Sequence, residues 1–280
     1  MIRCFEPDDV DFALTQKLRE GWAVSRDQFV LYLEHDPDGC FVASEGGRPV
    51  GMVTTACFGP SGWIGNLIVA PDHRSGGIGR ALMEHGLDHL RRRGTTTVHL
   101  EGDPPGIPLY RTLGFDDEYE SCRFMRPASK EKPAPDDPAT ETMTLADLDE
   151  VAALDAAIVG EDRRCFLALK VSAAELALVR RQDGRIVASL LAAPTNRGLR
   201  IGPCIALDPA DAHTLIAAAV TAAGSRPVLI GLPALNAQAL AILTEMGFDR
   251  GASSIRMRLG PPLAAADPTR IVAIASGAVG

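Results

Sequence analysis

No apolar run in this chain is long enough to cross a bilayer; its richest, residues 217–223, is short and mostly alanine. No C-x-x-C pair occurs. None of the six cysteines (Cys4, Cys40, Cys57, Cys122, Cys165, Cys204) stands at metal-ligand spacing from a histidine, so no metal is expected. Scattered singly, and in places within apolar runs such as 53–58, they read as small core residues of a reducing compartment. A basic excess is missing too: 28 Lys and Arg face 36 Asp and Glu, a net charge of -8. A nucleic-acid partner is therefore not expected, because binding one needs cations to replace phosphate counterions. The opening Met1-Ile2-Arg3-Cys4-Phe5-Glu6-Pro7 lacks the basic-then-apolar layout of a secretory leader. These absences point to a cytoplasmic protein with neither a membrane nor a nucleic-acid partner.

What is present fits a packed globular chain, with 46% hydrophobic and 23% charged residues. A length of 280 residues suits two ordinary domains. The segment Pro127-Ala128-Ser129-Lys130-Glu131-Lys132-Pro133-Ala134-Pro135-Asp136-Asp137-Pro138 has four prolines, five charges and little to bury. It reads as a semi-rigid linker over 128–140, dividing the chain into domains 1–127 and 141–280. The halves open and close alike. Glu6-Pro7-Asp8-Asp9-Val10 is matched by Thr144-Leu145-Ala146-Asp147-Leu148, and Leu113-Gly114-Phe115-Asp116 by Met246-Gly247-Phe248-Asp249. A duplicated fold follows as an expectation.

In the first half, apolar periodicity predicts helices over 8–19, 25–33 and 78–93. Apolar and β-branched runs predict strands over 39–44, 50–58, 63–69 and 96–101. Glu45-Gly46-Gly47-Arg48 and Gly59-Pro60-Ser61-Gly62 read as hairpin turns. The class is α/β, with antiparallel hairpins leading into a strand-loop-helix unit.

That unit carries the chemistry. After the strand ending at Val69 come Pro71-Asp72-His73 and then Arg74-Ser75-Gly76-Gly77-Ile78-Gly79-Arg80, where a helix begins. Glycines let successive N–H groups face one concavity, and a helix N-terminus adds unpaired donors and a positive dipole end. Arg74 and Arg80 flank this anion site. A Walker loop needs Lys-Ser/Thr after its last glycine, but Arg80-Ala81 stands here. A dinucleotide fingerprint needs G-x-G-x-x-G, which Gly76-Gly77-Ile78-Gly79 does not match. A glycine-rich turn that merely joins strand to helix accounts for a glycine or two, but not for the flanking arginines.

The run Arg74-x-x-Gly77-x-Gly79 resembles motif A of the GNAT superfamily of N-acetyltransferases. Tyr110-Arg111-Thr112-Leu113-Gly114-Phe115 resembles its second signature, and the likeness covers about residues 1–127. The resemblance implies two GNAT-like domains, each a mixed, mostly antiparallel sheet flanked by helices. It implies acetyl-CoA as cosubstrate, its pantetheine amides on the backbone of Leu67, Ile68 and Val69 and its pyrophosphate on the N–H groups of 75–80. Tyr110 would protonate the departing thiolate, and Glu101 or Asp103 would take the proton of a primary amine; each of these carboxylates reads equally as a solvated loop group. Asn66 is placed to orient water or substrate, and Trp63 reads either as core or as a wall of the amine pocket. A non-catalytic acyl-CoA sensor is the alternative.

The second half has no such loop, and Leu243 stands where Tyr110 would be. Asp155, the run Gly160-Glu161-Asp162-Arg163 and Leu232-Pro233-Ala234-Leu235-Asn236 are similar to the C-terminal domain of tandem GNAT proteins of the YitH type. On that likeness Asp155, Asp162 and Arg163 are substrate-pocket candidates, with a helix cap and an ion pair as the other reading. A degenerate domain that completes the substrate cleft or supports the fold is expected.

Overall fold

The computed structural model describes residues 1–128 and 139–280, so most of the expected linker lies outside the described residues. Two compact units emerge. One contains Met1–Asp117, Met257–Pro262 and Gly277–Gly280; the other contains Glu118–Arg256 and Leu263–Ser276. Neither unit is contiguous, unlike the division at 127 and 141 that the linker suggests. Late segments of the chain join the first unit because its sheet has an edge to cover: Thr97 Oγ1 donates to the Pro261 carbonyl at 2.8 Å.

The first unit opens with β1 (Ile2–Cys4), α1 (Val10–Arg19) and α2 (Arg26–His35). It continues with β2 (Cys40–Glu45), β3 (Arg48–Phe58), β4 (Ser61–Val69), α3 (Ile78–Arg92), β5 (Thr97–Gly102) and α4 (Ile107–Thr112). β1 to β4 pair antiparallel in chain order, and β5 joins β4 in parallel. α3 is amphipathic by sequence. Leu82, Met83, Leu87 and Leu90 are buried, and Arg91 and Arg92 close its last turn. Each such side chain contributes roughly 1.5–3 kcal/mol by leaving water. Gly86 lets the helix approach the sheet, since a methyl there would stand 3.3 Å from Thr55 Cγ2.

The second unit repeats the plan with β6 (Asp116–Arg126), β7 (Thr140–Thr142), α5 (Leu148–Val159), α6 (Arg164–Ser172), β8 (Leu176–Gln182) and β9 (Arg185–Thr195). After them come β10 (Gly198–Ala206), α7 (Pro209–Ala223), β11 (Val228–Pro233), α8 (Ala237–Glu245), β12 (Asp249–Arg250), β13 (Ser254–Leu259), whose residues from Met257 on count with the first unit, and β14 (Ile271–Ala273). β7 to β10 are antiparallel, β10 and β11 parallel, and β6 lies antiparallel to β11. Neighbouring Leu190 and Leu191 on β9 point into cores on opposite faces of this sheet, as strand alternation requires.

The duplication extends to hydrogen bonds. Each unit enters its first helix through a capping box, Glu6 with Asp9 in one and Thr144 with Asp147 in the other. Each leaves its last helix through a glycine of positive φ, Gly114 or Gly247. Phe115 N–H then returns to the Tyr110 carbonyl at 3.1 Å, and Phe248 N–H to that of Leu243 at 2.9 Å.

Candidate active site

β4 and β5 begin together and then separate. Their register runs Ser61↔Thr97, Gly62↔Val98 and Trp63↔His99, and no later pair joins them although both strands continue. Residues 64–69 thus present backbone N–H and C=O groups to a gap. A bulge marks the parting: the β3–β4 register shifts between Met52 and Thr54, and Asn66 takes φ +50°. Asn66 is held at both ends, donating from Nδ2 to Thr54 Oγ1 at 2.9 Å and accepting from Lys17 Nζ at 2.8 Å. Trp63 is fully buried and stacks on His99 with ring centroids 5.4 Å apart.

At the far end of β4, residues 70–77 lead to α3. Ser75 (φ +66°) and Gly77 (φ +82°) are left-handed, Gly77 is the N-cap, and a methyl there would meet nothing within 4 Å. No side chain caps α3, and its first turn holds no acidic residue. The first N–H groups of a 15-residue helix therefore face solvent beside an open, glycine-lined concavity. This fits a diphosphate. Arg74 and Arg80 are engaged by protein acceptors. Arg74 donates from Nε to the Val69 carbonyl at 2.9 Å and pairs with Glu20. Arg80 donates to Thr112 Oγ1 at 2.6 Å and faces Glu84 at 3.6 Å. The backbone of the loop, more than its two guanidinium groups, is left to meet an anion.

The Arg80–Thr112 bond also pins α4 to the start of α3, and Leu109 packs where Gly79 and Val69 meet. Tyr110 on α4 is buried, its ring over Gly106 and edge-on to Phe115 at 6.3 Å. Burial first, and the Asp103 carboxylate second, push its phenol up to about 12. Tyr110 is thus a proton holder at neutral pH. The Asp103 carbonyl starts α4 by accepting from Gly106 N–H at 2.9 Å and Ile107 N–H at 3.3 Å. Glu101 sits near the end of β5, on the strand bordering the gap.

The second unit arranges its equivalents differently. β10 and β11 also part, after Ile201↔Ile230. There β14 pairs with β10 at Cys204↔Ala273 and Ile205↔Ile271, and Ile274 N–H donates to the Gly231 carbonyl of β11 at 2.8 Å. The chain itself fills that gap. Only Leu207 and Asp208 separate β10 from α7, whose N-terminus is capped by Asp208 accepting from Ala210 N–H at 2.7 Å. Leu243 is fully buried in the core.

Asp155 and Arg163 make a two-bond ion pair at 2.7 and 2.9 Å, each 2% exposed, while Asp162 lies on the surface accepting from Arg164 N–H at 3.1 Å. Nearby charge bears on Lys170: burial first, then Arg200 and Arg163, pull its ammonium down to about 7. Sequence reasoning missed Lys17, Thr54 and β14. It also passed over Asp208-Pro209, whose cap-then-proline order is a readable helix start. Among the described residues, no group of three or more His, Cys, Asp or Glu could hold a metal, and no helix is long and apolar enough to cross a membrane.

Comparison with known proteins agrees with this geometry. Residues 8–115 match the acetyltransferase (GNAT) family and residues 151–271 a second acetyltransferase (GNAT) domain model. The chain is 28% identical over 198 residues to the uncharacterized N-acetyltransferase YitH of Bacillus subtilis, a match covering 69% of this chain and 68% of that one. A Pyrococcus horikoshii structure classed with the acetyltransferases superposes with TM-score 0.86 and 25% identity, covering 100% of this chain and 95% of that one. A tandem GNAT protein from the clavulanic acid biosynthesis pathway shares the fold at TM-score 0.64 and 16% identity, covering 94% of this chain and 99% of its own. With one match for each unit and the parted strands, open loop and tyrosine all in the first, the chain belongs to the GNAT family of acetyltransferases.

Proposed function

We propose that this chain moves an acetyl group from acetyl-CoA to a primary amine at one site, in the first unit. The observation that carries the proposal is the uncapped N-terminus of α3, set behind an open glycine loop at the end of a strand that parts from its parallel neighbour. Acetyl-CoA supplies the acetyl group, activated as a thioester. The N–H groups of Ser75, Gly76, Gly77, Ile78, Gly79 and Arg80 hold the pyrophosphate, aided by the dipole of α3. Leu67, Ile68 and Val69 offer their backbone groups to the pantetheine amides, and an N–H at this edge polarises the acyl oxygen. Tyr110 Oη gives its proton to the departing sulfur.

Glu101 or Asp103 accepts the proton of the amine, directly or through water. Asn66, bonded to Thr54 and Lys17, keeps the bulge in place and orients water or substrate on the acceptor side, and Trp63 backs the closed end of the gap. Asp155 and Arg163 bond each other, and Asp162 accepts from the Arg164 N–H, so the second unit is read as a structural partner without a second reaction centre.

The test is a free-thiol assay with polyamines, aminoglycosides and lysine peptides, run beside calorimetry with CoA, ATP and NAD. Tyr110→Phe should lower kcat by about 10²- to 10³-fold and leave the Kd for acetyl-CoA within about twofold. Because burial disfavours the phenolate, the proton stays on Tyr110 below about pH 12, and turnover should not fall between pH 8 and 10 on its account. Tight ATP binding without CoA binding would sink the proposal. CoA binding with no transfer to any amine would favour a sensor.

A further inference from the structure

The late segment Gly277–Gly280 belongs to the first unit, and it lies at the closed end of the gap between β4 and β5. Ala278 rests on Gly65, where an added methyl would stand 2.5 Å from Ala278 Cα and 3.0 Å from its carbonyl oxygen. Gly280 rests on the indole of Trp63, where a methyl would overlap the ring and stand 2.7 Å from Cη2. Gly277 touches the opposite strand, within 3.7 to 3.9 Å of Glu101 Cβ and Cγ measured from its own added methyl. The segment therefore spans from one parted strand to the other. It is tightly packed, with Ala278 5% and Val279 1% exposed. Two positions without a Cβ, Gly65 and Gly280, make this closeness possible.

The order of groups along β4 gives the segment a role. From the loop backwards, the strand passes the diphosphate site at 75–80, the pantetheine edge at Val69, Ile68 and Leu67, then the Asn66 bulge. Beyond it lie Gly65 and Trp63, where β5 rejoins. A thioester laid along the strand in that order points its acyl group at Gly65. We infer that Gly277–Gly280 is the end wall of the acyl pocket, and that Ala278 restricts the acyl group to a short chain. This rests on the acetyl-CoA reading above and names what sets its acyl preference.

The test is a calorimetric ladder of CoA, acetyl-CoA, butyryl-CoA and hexanoyl-CoA with the full chain. Wild type should bind hexanoyl-CoA at least about tenfold more weakly than acetyl-CoA, since an added methylene has no room to be buried. Deletion of 277–280 should bring that ratio to within about twofold, and Ala278→Gly, which frees the space of one methyl, should narrow the butyryl-to-acetyl ratio by about threefold or more; both should leave the Kd for CoA itself unchanged. Gly65→Ala, which drives Ala278 outward, should change the same ratio without moving the CoA value; thermal unfolding identifies the folded variants. A wild type that binds hexanoyl-CoA as tightly as acetyl-CoA overturns the wall. So does a ladder that Ala278→Gly leaves unmoved. Loss of CoA binding in wild type itself would instead overturn the acetyl-CoA reading on which the wall depends.

Discussion

The two units keep one plan and part company at the N-terminus of one helix. α3 and α7 are both 15 residues long, and both follow a strand that separates from its parallel neighbour. In front of α3 stands an open loop with glycine at the cap and no side-chain acceptor. In front of α7 stands Asp208, whose carboxylate takes the Ala210 N–H, and Pro209, which has no N–H to offer. The gap beyond β10 is filled by β14. A helix end and a parted strand pair must satisfy their polar groups somehow. The second unit does so with its own chain; the first covers only the closed end of its gap, with Gly277–Gly280, and leaves the rest of β4 and the start of α3 open. Fold and site are thus separable: the architecture survives when the loop shrinks to Leu207 and Asp208.

The largest effect should come from the charge buried in the second unit. Asp155→Ala leaves Arg163 buried without its two-bond partner and with Glu161 left as a nearby carboxylate, which costs about 3 kcal/mol, the low end for removing one partner of a buried pair. Urea unfolding should show that loss, while the Kd for CoA measured on folded protein stays within about twofold. If stability instead moves by less than about 1 kcal/mol and transfer to an amine disappears, Asp155 belongs to a substrate site and the contrast between the units fails.

Next in size is an attempt to make the first unit resemble the second. Gly77→Asp puts a carboxylate at the N-cap of α3, as Asp208 does for α7. Competing with the diphosphate for the same N–H groups, it should weaken CoA binding by about 100-fold, roughly 2.7 kcal/mol. Gly77→Ala carries the same left-handed strain, of order 1–2 kcal/mol, without the charge. Its loss of affinity should stay below about tenfold. Equal losses in the two variants would mean that backbone shape, and not competition for the helix end, governs the site.

Much of this contrast was legible in local patterns. The loop, the long helix after it and the paired Gly-Phe endings follow from spacing and turn chemistry, which act within a few residues. The strands agree to within about two residues, with β3 starting at Arg48 where the apolar run predicts position 50. What stayed hidden depends on chain segments far apart. Nothing in Ile271-Val272-Ala273 distinguishes a strand that fills a gap from an ordinary edge strand. Nor does Gly277-Ala278-Val279-Gly280 show on its face that it meets Gly65 and Trp63. Trp63 was equally readable as core or pocket wall; it is wholly buried, and Gly280, far along the chain, lies against its ring. Asp155 and Arg163 read as pocket candidates by likeness to the tandem proteins, with an ion pair as the other reading; that they bond each other depends on two segments that only the fold brings together.

The smallest effect tests whether the second unit could regain a site by losing its cap. Asp208→Ala removes one acceptor at the start of α7 and should cost about 1 kcal/mol in urea unfolding. If the cap alone kept anions out, the variant would gain a second equivalent of CoA in a titration. The structure argues for no gain. Pro209 still withholds one N–H, β10 still reaches α7 with no loop to cradle a phosphate, and β14 still occupies the place between β10 and β11. The stoichiometry should remain at one CoA per chain, and a value of two would show that a single carboxylate had separated the units.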